Sequence, residues 1–194
     1  MKSLFTFLVF SCLFITTPLS AAQDWKADTS HSGIYFSVNH IFVPVKGHFN
    51  EYNADIRFDP QNLVSSSFSM EIIVKSIFTN NAKRDKHLLS KDFFNASEYP
   101  KITFNSSSIE KVSDTKYNLK GTMTIKGVSK EITIPVTYHG SKDHPSEKGT
   151  SVAGISGKFT IDRLEYKVGD GRFADFGLVG KDVDVEVEME ILKK

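Results

Sequence analysis

From His31 onwards, apolar and polar residues alternate. Ile34, Phe36 and Val38 fall on one face and Tyr35, Ser37 and Asn39 on the other, the period of two that marks a half-buried strand. Val45, Gly47 and Phe49, then Ala54, Ile56 and Phe58, repeat it, punctuated by Asn53 and Asp59-Pro60. Phe68, Met70, Ile72 and Val74 follow, set against Ser67, Ser69 and Glu71. After Pro100 the alternation resumes at Ile102 and Phe104, and residues 117–125 and 132–138 predict two strands joined by a tight turn at Lys126-Gly127-Val128. Pro135 points to an edge or bulge position, because proline has no N–H for a ladder. Beyond a polar loop over 139–150, residues 153–161 and 183–191 predict two more strands. In the last, Asp182, Asp184, Glu186, Glu188 and Glu190 hold every second position, so one face is solvated and the other apolar.

One stretch, residues 79–100, breaks this pattern. Asn80 or Asn81 can cap a short helix over 82–89, on which Arg84, His87 and Leu88 share a face. Phe93, Phe94, Tyr99 and Pro100 then need burial without strand alternation. The segment reads as a small lid, a helix followed by an aromatic clamp.

Roughly eight one-sided strands with one short helical insertion predict an all-β, antiparallel barrel. A two-sheet sandwich would also bury one face of each strand, but a barrel leaves no edge. An eight-stranded barrel holds either its own side chains or one small ligand. The candidate wall comprises Ile34, Phe36, Val38, Phe49, Phe58, Phe68, Met70, Ile72, Phe104, Met123, Ile134, Phe159 and Val185. The same residues would fill a solid core equally well, since periodicity gives the inward face and not whether the interior is hollow.

Length and sixteen Phe in 194 residues suit a single domain with a sizeable core. At the N-terminus, Lys2, an apolar run over 4–15 and Ser20-Ala21-Ala22 have the form of a secretory signal peptide over residues 1–22, leaving a domain over 23–194 that is periplasmic or secreted. The apolar run is too short to span a bilayer as a helix. Cleavage removes Cys12, the single cysteine, so the mature chain rests on burial and hydrogen bonding; acylation at Cys12 would instead require a very short leader. Cleavage also removes Lys2 and leaves 23 basic against 23 acidic residues, which argues against a nucleic-acid footprint.

Catalytic patterns are sparse. Gly154-Ile155-Ser156-Gly157 is one residue short of a nucleophile elbow, and the S-x-x-K spacings at Ser108 and Ser113 fall at a strand end and in a turn, where that motif does not work. The six histidines show no H-x-H, H-x-x-x-H or H-E-x-x-H spacing, although His31, His40 and His48 could meet across neighbouring strands. No metal and no enzymatic activity are expected. Arg84, Asp85 and His87 form the most polar cluster of the lid: an Arg–Asp pair would fasten it, and the two cations could receive an anionic head group. Arg172 is a second such cation. It lies in a glycine-spaced loop, 169–177, that also carries Phe173 and Phe176. His31, Arg84, Asp85, His87, Arg172, Phe173 and Phe176 are the candidate head-group or lid residues, and an acid–base reading would use Arg84, His87 or His31.

Five blocks occur in order: His31-Ser32-Gly33-Ile34-Tyr35-Phe36-Ser37-Val38-Asn39-His40, Val45-Lys46-Gly47-His48-Phe49, Arg84-Asp85-Lys86-His87-Leu88, Tyr99-Pro100-Lys101-Ile102-Thr103-Phe104 and Gly121-Thr122-Met123-Thr124-Ile125-Lys126-Gly127-Val128. Together they resemble the YceI-like family of exported bacterial proteins. The resemblance implies a lipocalin-like barrel and, as in some members, a bound polyisoprenoid or other long-chain lipid as ligand, with no further cofactor. It places Arg84, Asp85 and His87 in a helix motif and His31 and His40 in a first-strand motif, and it allows a homodimer. It also implies glycine where Lys167 stands. The expectation is a lipid holder or carrier; the alternative is an exported assembly module with a filled core and a protein partner held through Phe173 and Phe176.

Overall fold

The computed structural model describes residues 22–194. The expected signal segment, with Lys2 and Cys12, lies outside the described residues except for Ala22. Strands β1 (Gln23–Ala27), β2 (Gly33–His40), β3 (Val43–Phe49), β4 (Tyr52–Phe58), β5 (Ser67–Ile73) and β6 (Ile77–Phe78) precede helix α1 (Ala82–Leu88). Then follow β7 (Lys101–Lys111), β8 (Lys116–Ile125), β9 (Val128–Asp143), β10 (Ser151–Asp162), the short helix α2 (Arg172–Asp175) and β11 (Val179–Lys193).

All pairings are antiparallel. The order β1-β4-β5-β7-β8-β9-β10-β11 returns to β1 through Lys26–Leu192 and Ala27–Ile191, which closes a barrel of eight strands. The remaining strands extend one end. On its other edge β11 pairs with β1 near its C-terminus and with β2 from Val179 to Glu188, and β2 carries β3 and β6 outwards. The wall therefore divides at this end, and the lid segment follows β6 directly.

The turn at Lys126-Gly127 has positive φ at both residues, 47° and 72°, and joins Ile125 to Val128. This is the primed turn whose twist suits a two-residue hairpin. Pro135 sits just past Val136–Gly157, the last β9–β10 pair, so its β10 side carries no ladder. Above that point β9 and β10 separate. Lys130 Nζ to Glu165 Oε2 (3.0 Å) and Lys126 Nζ to the Lys167 carbonyl (2.8 Å) tie β9 and its turn to the 3₁₀ turn at Arg163–Tyr166 and the residue after it.

Two strands escape the alternation reading. β1 is five residues long with only Trp25 fully buried, and β6 has two residues. Short strands at a closure or an edge offer too few positions for a period to show. The outer face of β11 matches expectation: Val185, Val187, Met189 and Ile191 point inwards while Asp184, Glu188 and Glu190 are exposed.

Candidate functional site: an apolar cavity under an aromatic lid

The barrel is hollow at its lid end and solid at the other. At the solid end Phe58 meets Phe68, Tyr117 and Tyr138 edge-on, with centroids 5.8, 5.3 and 5.1 Å away. Trp25 Nε1 donates to the Phe58 carbonyl at 3.3 Å. Between this cluster and the lid lies a cavity of about 200 Å³, several times the ~30 Å³ that a water molecule occupies in the liquid.

All the predicted wall residues line this cavity except Phe58. Phe58 is the correction. Its alternation is right and it is buried, but as the last residue of β4 it closes the floor among aromatic neighbours instead of facing the void. Leu88, Phe93 and Phe94 of the lid segment form the roof, while Val38, Val179 and Val183 flank it.

The lid is pinned by one buried residue, Thr79. Its N–H and its hydroxyl donate to Asp85 Oδ1 at 3.0 and 2.5 Å, and Arg84 donates through Nε to the same hydroxyl (2.7 Å) and through Nη2 to the Thr79 carbonyl (2.5 Å). Arg84 and Asp85 thus fasten the lid through Thr79, not through each other, and neither lines the cavity. Asn81 caps α1, its side chain accepting from Arg84 N at 3.0 Å.

His87 is half exposed, 3.3 Å from Asp92 Oδ2, with its ring edge-on to Phe93. Arg172 is exposed and paired with Asp170. Phe173 is half-buried and stacks on Phe93, whereas Phe176 is 75% exposed.

His31 is not at the lid. It stands beside Asp28 (2.8 Å) and Glu190 (3.8 Å), on the order of 35 Å along extended β11 from Val179 at about 3.3 Å per residue. His31, His40 and His48, which neighbouring strands could have brought together, do not meet. The β2–β3 register sets His40 against Val43 and His48 against Tyr35. Asp28, His31 and Glu190 are the single group of potential metal ligands brought together among the described residues, and they are partly or fully exposed. Hydrogen bonding to Asp28 raises the His31 pKa, and the same bond lowers that of Asp28.

Arg163 and Tyr166, not singled out as site residues from the sequence, are also among the residues lining the cavity. Arg163 is 6% exposed and donates to three carbonyls, Val168 at 2.7 Å, Gly180 at 2.9 Å and Val179 at 3.3 Å. Burial lowers its pKa, against the charges of Asp162 and Asp170. The Tyr166 hydroxyl is buried without a hydrogen-bond partner among the described residues, and burial raises its pKa. An arginine at the end of an alternating strand, followed by a Tyr, carries little signal, since such positions are usually solvated.

Fold and hollow together define a cavity-bearing, eight-stranded antiparallel barrel. A family model described as the YceI-like domain matches residues 25–191, and the chain belongs to that family. It is 34% identical over 188 residues to a UPF0312 protein of Vibrio cholerae, covering 93% of each chain. Among solved structures it resembles BcnA of Burkholderia cenocepacia, with TM-score 0.75 and 28% identity over 87% of this chain and 99% of that one. A polyisoprenoid binding domain from Saccharophagus degradans shares the fold at TM-score 0.65 and 14% identity, covering 88% and 98%.

Proposed function

We propose that the protein is an exported carrier that holds a polyisoprenoid or similar long-chain amphiphile inside the barrel and performs no chemistry on it. The observation that carries this reading is the apolar cavity between the Phe58 cluster and the lid. A flexible hydrocarbon gains about 0.8 kcal/mol for each CH₂ removed from water, so no polar contact need dominate. Met70, Met123 and Met189 in the wall suit a chain of variable shape. The S. degradans domain, described as polyisoprenoid binding, supports the reading through its fold. The N-terminal pattern of charge, apolar run and small residues supports a periplasmic site of action. A filled core with a protein partner is disfavoured by the cavity and by Phe173, which packs into the roof.

Native mass spectrometry of residues 23–194, purified from the periplasm without detergent, tests the proposal. A mass excess in the range of a long-chain lipid, lost on organic extraction, is expected. A bare polypeptide mass that persists after incubation with prenyl lipids would overturn it.

A further inference from the structure

Five of the nine large apolar side chains exposed among the described residues stand together at the lid end: Ile41, Phe42, Val43, Phe176 and Leu178. Single exposed apolar residues are ordinary, whereas a cluster marks a contact. Ile41 and Phe42 form the two-residue connection between β2 and β3, since His40 pairs with Val43. Such turns favour Gly, Asn or Asp. Here Ile41 takes φ 53°, left-handed backbone that a β-branched residue enters at a cost, and Phe42 is 96% exposed. Turn geometry calls for neither side chain, and Phe42 packs on almost nothing.

The tip is bonded to the roof of the cavity. Ile41 N donates to the Leu178 carbonyl at 3.1 Å, and Leu178 N to the Phe173 carbonyl at 2.8 Å. Phe173 stacks on Phe93, which lines the cavity. Val38, also in the lining, lies three residues before Ile41, about 10 Å along the strand. The same end is basic. Lys83, Lys86 and His87 are spaced to share one exposed face of α1, and His87 meets Phe173 edge-on. Lys83, Lys86 and the exposed Lys91 form no ion pair among the described residues. In the α2 loop Arg172 and Lys181 are paired with Asp170 and Asp162, which leaves Asp175 as the opposing acid.

We propose that this end of the barrel docks onto a lipid bilayer with anionic head groups. Ile41, Phe42 and Leu178 enter the boundary between head groups and acyl chains, while Lys83, Lys86 and Lys91 lie over the phosphates. A projecting apolar tip flanked by unpaired lysines suits a bilayer, which yields around the tip and attracts the cations. Protein interfaces are depleted in lysine, and their aromatic anchors fill matching pockets. Docking sets the lid against the bilayer, where a long-chain amphiphile resides, and in that respect the inference rests on the carrier reading above.

Vesicle flotation of the mature chain tests this. Wild type should bind vesicles of phosphatidylethanolamine and phosphatidylglycerol in equal parts at least about tenfold more tightly than vesicles of phosphatidylcholine alone. Lys83→Gln, Lys86→Gln and Lys91→Gln together should erase that preference while leaving phosphatidylcholine binding within about threefold. Ile41→Asn with Phe42→Ser should weaken binding to both compositions by about tenfold or more. Asparagine enters left-handed backbone more readily than isoleucine, so this variant should melt no lower than wild type. No binding of wild type to either vesicle, equal affinity for both, or binding unchanged in the tip variant overturns the docking face. So does a wild-type dimer in sedimentation that the tip variant dissociates, since a second copy would then cover the tip. Native mass spectrometry of the same preparation reads the cargo separately: retained lipid without vesicle binding leaves the carrier reading standing, and vesicle binding by a chain that never holds lipid leaves only the docking face.

Discussion

The rings of Phe93 and Phe173 lie 15° from parallel with centroids 6.1 Å apart, so the lid segment and α2 share one aromatic layer above the cavity. His87 meets both edge-on, at 5.0 and 6.4 Å. Phe93 faces the cavity and Phe173 does not. Phe173→Ala should therefore loosen the roof while leaving the wall intact. Stability should fall by about 0.5–1.5 kcal/mol, the range for an aromatic pair, and stopped-flow measurement should show faster release of bound lipid. Unchanged release would place the exit elsewhere.

At the opposite end, Phe58 is 4% exposed among three aromatic rings. Phe58→Ala should destabilise the barrel by about 3–5 kcal/mol in urea titration, because a large cavity replaces the ring. A loss below about 1 kcal/mol would mean the floor collapses to fill it.

The Asp28–His31 pair gives the protein a pH signature. His31 has a raised pKa, so its stabilising contribution is complete below its ordinary value of 6.5 and is lost as pH rises through the folded-state value. Asp28 has a lowered pKa, so its contribution is complete above 3.8 and is lost as pH falls through its folded-state value. The pair is thus fully effective between 3.8 and 6.5. NMR titration of His31 should give a midpoint above 6.5 that falls back in Asp28→Asn; an unmoved midpoint would rule out the pairing in solution.

Lys167 adopts φ 57° and ψ 26°, left-handed backbone that glycine enters without strain. The glycine that the family pattern implies at this position fits that conformation, and the turn survives the lysine. Lys167→Gly should leave the fold unchanged and raise stability by up to about 1 kcal/mol in thermal denaturation. A fall in stability would show that the aliphatic stem of Lys167 contributes more by packing than the strain removes.

Alternation over residues 34–38, 54–58, 117–125 and 183–191 was sufficient to assign strands and inward faces, because a pleated strand sends every second side chain to the same side. The lid was legible for the opposite reason: α1 and the Phe93-Phe94 clamp lack that period. Asn81 was one of two equal candidates for the cap, and only its φ/ψ with the Arg84 contact decided between them.

Tertiary structure alone decided whether the inward faces enclose space. Phe58 and Phe68 carry the same local pattern, yet one closes the floor and the other also borders the void, since strand tilt and register set the height of each residue in the barrel. It likewise took His31 away from the lid and brought Arg163 and Tyr166 into the wall through a 3₁₀ turn closed over by Gly169. Sequence determined which residues avoid water, a property of each side chain and its spacing. Where the cavity lies and which polar groups border it depend on contacts between strands distant in the chain, and those exist only once the barrel has closed.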